Sequence, residues 1–234
     1  MSREADIAAV ITGSQAELVI LQEATSPASV ARIAELAAMP HVGSKPGMSL
    51  AYLSRTPVAG AVWQKPRFSR HAFLEVVLAD GFRVFGLHLS AVHSAWTERR
   101  RTMEMRSLLA AIASHQHGAH VLVGDFNTLA PGEWLDREKL PPRLKAMVWL
   151  SGGRIRFRTI QHILDAGYVD CFRQLQPSDP GPTFPTWGAH LRLDFAFVPA
   201  KYAGLVAACE VLRPANAAKA SDHFPLLVTI SPQE

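Results

Sequence analysis

Cysteine is scarce in this chain of 234 residues, which has only Cys171 and Cys209. Small secreted domains usually depend on several disulfides, and two thiols in apolar surroundings do not supply such a framework. The sequence therefore excludes a disulfide-rich scaffold and predicts a reducing, cytoplasmic location. Long apolar runs are also missing. Because none approaches the roughly 18–20 residues of a membrane span, no transmembrane segment is predicted.

Neither sign of charge dominates, and there are no repeats or low-complexity linkers. Lysine and arginine number 24 against 20 acidic residues, which gives a net charge of +4, and 48% of the residues are hydrophobic. This composition excludes a disordered chain and is sufficient for a substantial core. We expect one domain over residues 1–234. The mild positive charge favours a polyanionic partner, either nucleic acid or anionic lipid.

Short strand-like runs alternate along the chain with runs of helical spacing. The apolar residues 18–21 and 121–123 are typical of buried strands. Further strands are predicted at residues 48–54, 73–78, 84–89, 191–198, 205–212 and 224–230. Ser26-Pro27 indicates a helix start, because serine accepts from the unpaired N–H groups of a first turn and proline fits its first position. This alternation predicts a layered α/β fold.

Several of the predicted strands end abruptly in a polar side chain capable of chemistry. Taken singly, each has an ordinary explanation: a strand-end glutamate is usually solvated, and glycine, aspartate and asparagine are common turn residues. Taken together they form a set, since an α/β scaffold collects functional groups at its strand ends. The set comprises Glu23, His88, Asp125, Asn127, Asp194, Asp222 and His223.

Asp194 stands within the otherwise apolar run 193–198. Burying an isolated carboxylate is costly unless a partner offsets the lost hydration. The sequence therefore predicts that Asp194 has a specific partner.

The whole set, in this order, resembles the endonuclease/exonuclease/phosphatase superfamily. The most specific segments are Gly-Asp-Phe-Asn at 124–127 and Ser-Asp-His-Phe-Pro at 221–225, and the resemblance extends over essentially the whole chain. It implies an α/β, four-layer sandwich in which two mixed β-sheets are flanked by helices. It also implies a metal-dependent phosphoester hydrolase.

The resemblance assigns a role to each residue. Glu23 matches the family's metal-binding glutamate and would be the main ligand of Mg²⁺, or of Mn²⁺, with Asp222 close by. His223, oriented by Asp194, would accept the proton of the attacking water. Asp125 is the rival for that role, and the sequence leaves the choice open.

Two further residues match positions that contact the phosphoryl group in the family. Asn127 and His88 would donate hydrogen bonds to phosphoryl oxygens, which is the electrostatic part of the catalysis.

The chain departs from the family pattern at its start. Members normally begin with a core strand that ends in an asparagine at the metal site, whereas the only asparagines of this chain are Asn127 and Asn216. The first match is instead the helical segment 5–13, which in relatives follows that strand. We therefore expect the upstream genomic sequence to encode, in frame, an apolar run of about five or six residues, the usual length of a strand, ending in asparagine.

The substrate class is less strongly indicated. Residues 137–158 contain seven basic residues against the single acid Glu138, with aromatic residues between them. Such a stretch is typical of a groove that follows a phosphate backbone, although basic residues on the outer faces of short helices explain it equally well. We expect a nuclease or phosphodiesterase acting on nucleic acid. One alternative is a phosphatase or phosphodiesterase that acts on a lipid or inositol phosphate. The other is a non-catalytic protein that binds phosphate or nucleic acid and has a defective metal site.

Overall fold

The computed structural model describes residues 2–66, 69, 71–90, 95–115, 118–133, 138, 145 and 157–231. Of the basic stretch 137–158, only four residues belong to these ranges. The prediction that this stretch follows a phosphate backbone therefore lies outside the described part of the chain.

Hydroxyl side chains begin the first two helices. Ser2 caps α1 (Arg3–Ser14) by accepting from Ala5 N, and Ser26 caps α2 (Pro27–Leu36), with proline in the first turn as predicted. The other helices whose bounds are described are α3 (Ala95–Ala111), α4 (Arg158–Asp165), α5 (Cys171–Leu175) and α6 (Ala217–Ala220), with 3₁₀ turns at Ala113–His115 and Ala200–Leu205. In the described part of the chain, no helix is long and apolar enough to cross a membrane.

Eleven strands are described, and three of them were not anticipated from the sequence. The first six are β1 (Leu18–Leu21), β2 (His41–Gly43), β3 (Ala51–Ser54), β4 (Val58–Gln64), β5 (Phe73–Leu78) and β6 (Arg83–His88). The rest are β7 (His120–Asp125), β8 (Tyr168–Asp170), β9 (Asp194–Pro199), β10 (Val206–Val211) and β11 (Leu226–Ile230). The unanticipated strands β2, β4 and β8 lie at sheet edges, where the demand for a clear apolar pattern is weakest.

Six of the strands form one mixed sheet in the order β4-β5-β6-β7-β9-β8, in which only β6 and β7 are parallel. One face of this sheet packs against α3 and α4 through a core that includes Phe85, Leu108 and Ile163. The opposite face packs against a second β layer, and α1 and α2 cover the three-stranded part of that layer from outside. The α/β class and the layered arrangement predicted from the sequence are confirmed.

The second layer is divided into two antiparallel pieces, a three-stranded β1-β3-β2 and a two-stranded β10-β11. It therefore differs in detail from the single mixed sheet that was expected. Ile20 of β1 and Val228 of β11 belong to the same apolar cluster on the six-stranded sheet, yet neither β1 nor β11 has a second ladder partner among the described strands. Val123 faces this layer from the interior strand β7 and stays partly exposed.

Helix α1 links the two pieces from outside. It packs on α2 beside the first piece and on α6 beside the second. Arg3 Nε donates to the carbonyl of Ala220 at 3.1 Å, and Asn216 Nδ2 donates to the carbonyl of Asp6 at 3.2 Å. The pieces are thus held together by a helix and by the sheet beneath them.

At Gly124 the backbones of β6 and β7 approach each other closely. Gly124 of β7 pairs there with Leu87 of β6. Its φ is 140°, and a Cβ added to it would lie 2.0 Å from the carbonyl oxygen of Leu87. Gly124→Ala is therefore expected to lower the free energy of unfolding by about 2–4 kcal/mol, because it combines a strained backbone with a clash against fixed main chain.

Urea unfolding measures this effect, and Gly60→Ala is the matched control. Gly60 likewise lies within a strand of the six-stranded sheet, but a Cβ there would meet nothing within 4 Å. Equal unfolding free energies for the two variants would contradict the argument.

Candidate active site

The strand register brings three of the predicted residues into a row. In the parallel pair β6–β7, His88 lies opposite Asp125, and in the antiparallel pair β7–β9, Asp125 lies opposite Asp194. Because all three residues are terminal in their strands, their side chains meet at one edge of the six-stranded sheet. The expectation that strand ends collect the functional groups holds for these residues.

His223 reaches this row from the second layer. It lies in the turn between α6 and β11, where its backbone N–H donates to Ser221 Oγ. Its Nδ1 is 2.7 Å from Asp194 Oδ2, and the side chain of Asp194 is almost completely buried. The partner predicted for Asp194 is therefore His223. Phe184 packs against the other side of the imidazole, with ring centroids 4.8 Å apart.

Asn127 holds the carboxylate of Asp125. Its backbone N–H donates to Asp125 Oδ1 at 2.8 Å, and its Nδ2 donates to Asp125 Oδ2 at 2.7 Å and to the carbonyl of Leu89 at 3.0 Å. Both amide hydrogens are thus used within the protein. The structure gives Asn127 an orienting contact that the sequence did not reveal, and its contact with a phosphoryl oxygen stays a prediction that requires the amide to change partners.

His88 lies beside Asp125 with its Nε2 3.8 Å from Asp125 Oδ2. Its Nδ1 is buried and has no hydrogen-bond partner among the described residues. Burial, followed by the charge of His71, lowers the pKa of His88, and the ring of His71 stacks on it at 5.6 Å. A neutral imidazole keeps one N–H donor, which is enough for one hydrogen bond to a phosphoryl oxygen.

The pKa values of Asp125 and His223 are both raised, but for different reasons. Burial, and then the charge of Asp194, raises the pKa of Asp125 to about 8, although His223 opposes the shift. For His223, burial favours the neutral form, but the hydrogen bond and charge of Asp194 outweigh it and raise the pKa to about 9. When Asp125, Asp194 and the nearby Glu23 are all ionised, the site holds more negative charge than His223 balances, since the lowered pKa of His88 favours its neutral form.

This excess of negative charge fits a divalent cation. Ligand atoms of Asp125, Asp194 and His223 all lie within 4.8 Å of one another. Glu23 and Asp222 do not belong to that group and are exposed. Glu23 nevertheless shifts the pKa values of both His88 and Asp125, so that its carboxylate is close to the cluster. Carboxylate oxygens are the ligands that Mg²⁺ prefers, and it usually keeps several of its waters.

The sequence model of the endonuclease/exonuclease/phosphatase family matches residues 2–223. The chain belongs to this family. The resemblance noted in the sequence is thereby confirmed, and so is the conclusion that the protein is a phosphoester hydrolase. Among curated proteins, no sequence matches the chain.

Solved structures of this family have the same fold. A 3′ phosphatase NExo from Neisseria, bound to a product DNA hairpin, is 21% identical with a TM-score of 0.75, and the match covers 98% of this chain and 94% of that one. An AP endonuclease from Archaeoglobus fulgidus is 19% identical with a TM-score of 0.68, covering 96% and 92%. A family member from Beutenbergia cavernae is 21% identical with a TM-score of 0.67, covering 97% and 66%. At these identities the likeness concerns the fold alone.

Glu23 follows β1 in a conformation that glutamate rarely adopts, with φ 55°. Two backbone hydrogen bonds fix this conformation. Ala24 N donates to the carbonyl of Ser49 at 3.0 Å, and Thr25 N donates to the carbonyl of Glu23 at 2.9 Å. Non-glycine residues in the left-handed region cost free energy and concentrate at functional sites. Asn127 also has a left-handed backbone conformation, with φ 50°.

The sequence reading missed Arg192, which supports the start of β9. Its side chain is almost fully buried and donates to Asp170 and Glu133, at 2.5 and 2.6 Å. Its guanidinium also lies 4.3 Å from the ring centroid of Phe195. A buried arginine two residues before Asp194 fixes the backbone from which that carboxylate projects. The sequence contained one sign of this role, because Arg192 is a second charged residue just before the apolar strand β9.

The raised pKa values predict an alkaline activity profile. A proton-accepting His223 must be neutral, and its pKa of about 9 means that the neutral fraction grows as the pH rises toward that value. We expect kcat/KM to rise between about pH 7 and 9. In Asp194→Asn the rise should move to lower pH, because the carboxylate that raises the pKa of His223 is gone.

The profile of His223→Ala identifies the base. If Asp125 accepts the proton, the residual activity keeps its alkaline rise. If His223 accepts it, the residual activity becomes flat over the same range. An unshifted rise in Asp194→Asn would contradict the assignment of Asp194.

Proposed function

We propose that this family member hydrolyses phosphodiester bonds of nucleic acid with the help of Mg²⁺. The observation that carries the proposal is the His223–Asp194 pair placed directly beside Asp125 and His88 at one sheet edge. Hydrolysis requires a water in line with the phosphorus and stabilisation of charge on the phosphoryl oxygens. The cluster offers groups for both tasks.

His223 and Asp194 form the proton-accepting unit in this proposal. Asp194 holds Nδ1, which leaves the second ring nitrogen to face the attacking water. Asp125, held by Asn127, positions the same water and is the alternative proton acceptor. His88 donates to a phosphoryl oxygen.

Glu23 and Asp222 are the proposed metal ligands. Both are exposed carboxylates, Glu23 close enough to influence His88 and Asp125, and Asp222 adjacent to His223. A bound Mg²⁺ supplies positive charge that stabilises the oxygens of the reacting phosphate and lowers the pKa of a bound water.

Nucleic acid is the proposed substrate for two reasons. The chain carries a net charge of +4, which favours a polyanion. Two of the similar structures are a phosphatase bound to a DNA product and an AP endonuclease. We further propose that residues 1–234 act as one domain, since the site draws on both β layers, and that the protein is cytoplasmic, since both cysteines are buried and unpaired.

A substrate screen tests the proposal. Purified protein with Mg²⁺ should hydrolyse bis-p-nitrophenyl phosphate and oligodeoxynucleotides, and excess chelator should abolish both reactions. Turnover of sphingomyelin or an inositol phosphate without cleavage of DNA or RNA would mean that the substrate is a lipid or inositol phosphate and not nucleic acid. DNA binding without any turnover would identify the non-catalytic alternative.

A further inference from the structure

The most exposed large apolar side chain of the described residues is Trp187, with 72% of its surface accessible. It lies one aromatic ring away from the site. Its ring centroid is 6.4 Å from that of Phe184, and Phe184 in turn packs on His223 at 4.8 Å. An indole in this position gains little from the protein core, so burial does not explain it.

The turn that carries Trp187 is firmly attached to the site. Gly188 N donates to the carbonyl of Pro185 at 3.0 Å and closes the turn. Thr186 donates to the second layer twice, from its N–H to the carbonyl of Asp222 at 2.8 Å and from its hydroxyl to the carbonyl of Ser221 at 3.0 Å. The indole is therefore presented from a fixed support beside His223.

An exposed cation is held by the segment that leads into this turn. Arg213 is exposed and donates from Nη2 to the carbonyl of Pro182 at 2.9 Å, while its guanidinium lies 4.8 Å from the ring of Phe224. Phe224 N donates to Thr183 at 2.7 Å, which joins both segments. No acid of the described residues forms a salt bridge with Arg213, so its remaining N–H groups can meet an anion.

We propose that Trp187 stacks on an unpaired base next to the scissile phosphate, and that Arg213 binds a phosphate of the same strand. Proteins that hold single strands combine these two elements, an aromatic face for the base and a cation for the backbone. The inference rests on the proposed action on nucleic acid. It adds that the strand is unpaired at the site, because a base inside a duplex has no free face to offer.

Two oligomers of equal length and charge separate the base from the backbone. One is oligodeoxythymidylate, and the other is the same sugar-phosphate chain with every base replaced by hydrogen. Trp187→Ala should lower kcat/KM on oligodeoxythymidylate about tenfold more than on the base-free chain, a typical loss for one stacked base. Trp187→Phe should recover most of the difference, whereas Trp187→Leu, which is apolar but cannot stack, should not.

Arg213→Ala should give the opposite pattern, with equal losses on the two oligomers and a salt dependence reduced by about one unit of log–log slope. Val62→Ala is the matched control, since Val62 is an exposed apolar residue on the edge strand β4. This variant should leave kcat/KM unchanged on both oligomers.

The outcomes distinguish the two levels of the argument. If the wild-type protein cleaves oligodeoxythymidylate but Trp187→Ala loses the same factor on both oligomers, stacking is overturned and the proposed function stands. If the wild-type protein cleaves neither oligomer but cleaves duplex DNA or RNA, the stacking proposal fails and the proposed function stands. If it cleaves no nucleic acid and still hydrolyses bis-p-nitrophenyl phosphate, both fail.

Discussion

His223→Ala is expected to lower kcat about 10³-fold or more, because it removes the proposed proton acceptor, which a buried carboxylate positions. Asp194→Asn should cost about 10²-fold, since the amide no longer stabilises the imidazolium that forms when His223 takes a proton. The double variant should be only slightly slower than His223→Ala. Within one catalytic unit the second change removes a contribution that is already lost.

Steady-state rates with bis-p-nitrophenyl phosphate and Mg²⁺ provide the measurement. His162→Ala is the control, because His162 lies on the outer helix α4 and should leave kcat unchanged. Losses that simply multiply in the double variant would mean that Asp194 acts independently of His223. Urea unfolding of each variant shows whether a rate loss reflects a lost fold.

Glu23→Gln is expected to abolish most of the Mg²⁺-stimulated turnover, a loss of about 10²–10³-fold, since the metal stabilises transition-state charge by several kcal/mol. The amide keeps the size of the side chain but loses the charge that binds a cation. Because Glu23 is exposed, the unfolding midpoint should hardly change, as is usual for surface substitutions.

Glu17→Gln is the matched control, an exposed glutamate at the opposite end of the same strand. Its Mg²⁺ titration should coincide with that of the wild-type protein. Turnover of Glu23→Gln at the wild-type level, or wild-type turnover that persists in excess chelator, would refute the assignment of Glu23.

Sequence reasoning recovered what depends on local pattern. The apolar runs of β1 and β7, the Ser26-Pro27 helix start and the polar residues at strand ends all follow from spacing or from the chemistry of single residues. The order of the motifs along the chain indicated the family, which is confirmed. The cost of burying a carboxylate predicted that Asp194 has a partner, and that partner is His223.

Sequence could not give contacts that arise only when distant segments meet. The Arg192 network joins three segments separated by tens of residues, so its partners cannot be read from a local pattern. The two amide hydrogens of Asn127 were assigned to a substrate from the family role, whereas the folded turn uses them on Asp125 and Leu89. The short edge strands β2 and β8 have three residues each, too few for a periodicity.

The divided second layer affects how the site keeps its shape. Among the described strands β1 and β11 have no second ladder partner. We therefore expect amides on their outer edges to exchange through small local openings, and those of β6 and β7 to exchange only when the six-stranded sheet unfolds. Glu23 follows β1 and Asp222 precedes β11, while Asp125 and Asp194 stand on the interior sheet. Under the proposed assignment, Mg²⁺ must therefore order both pieces as it binds, and part of its binding free energy is spent on that ordering. Hydrogen–deuterium exchange should accordingly slow in β1 and β11 on adding Mg²⁺ and stay unchanged in β6.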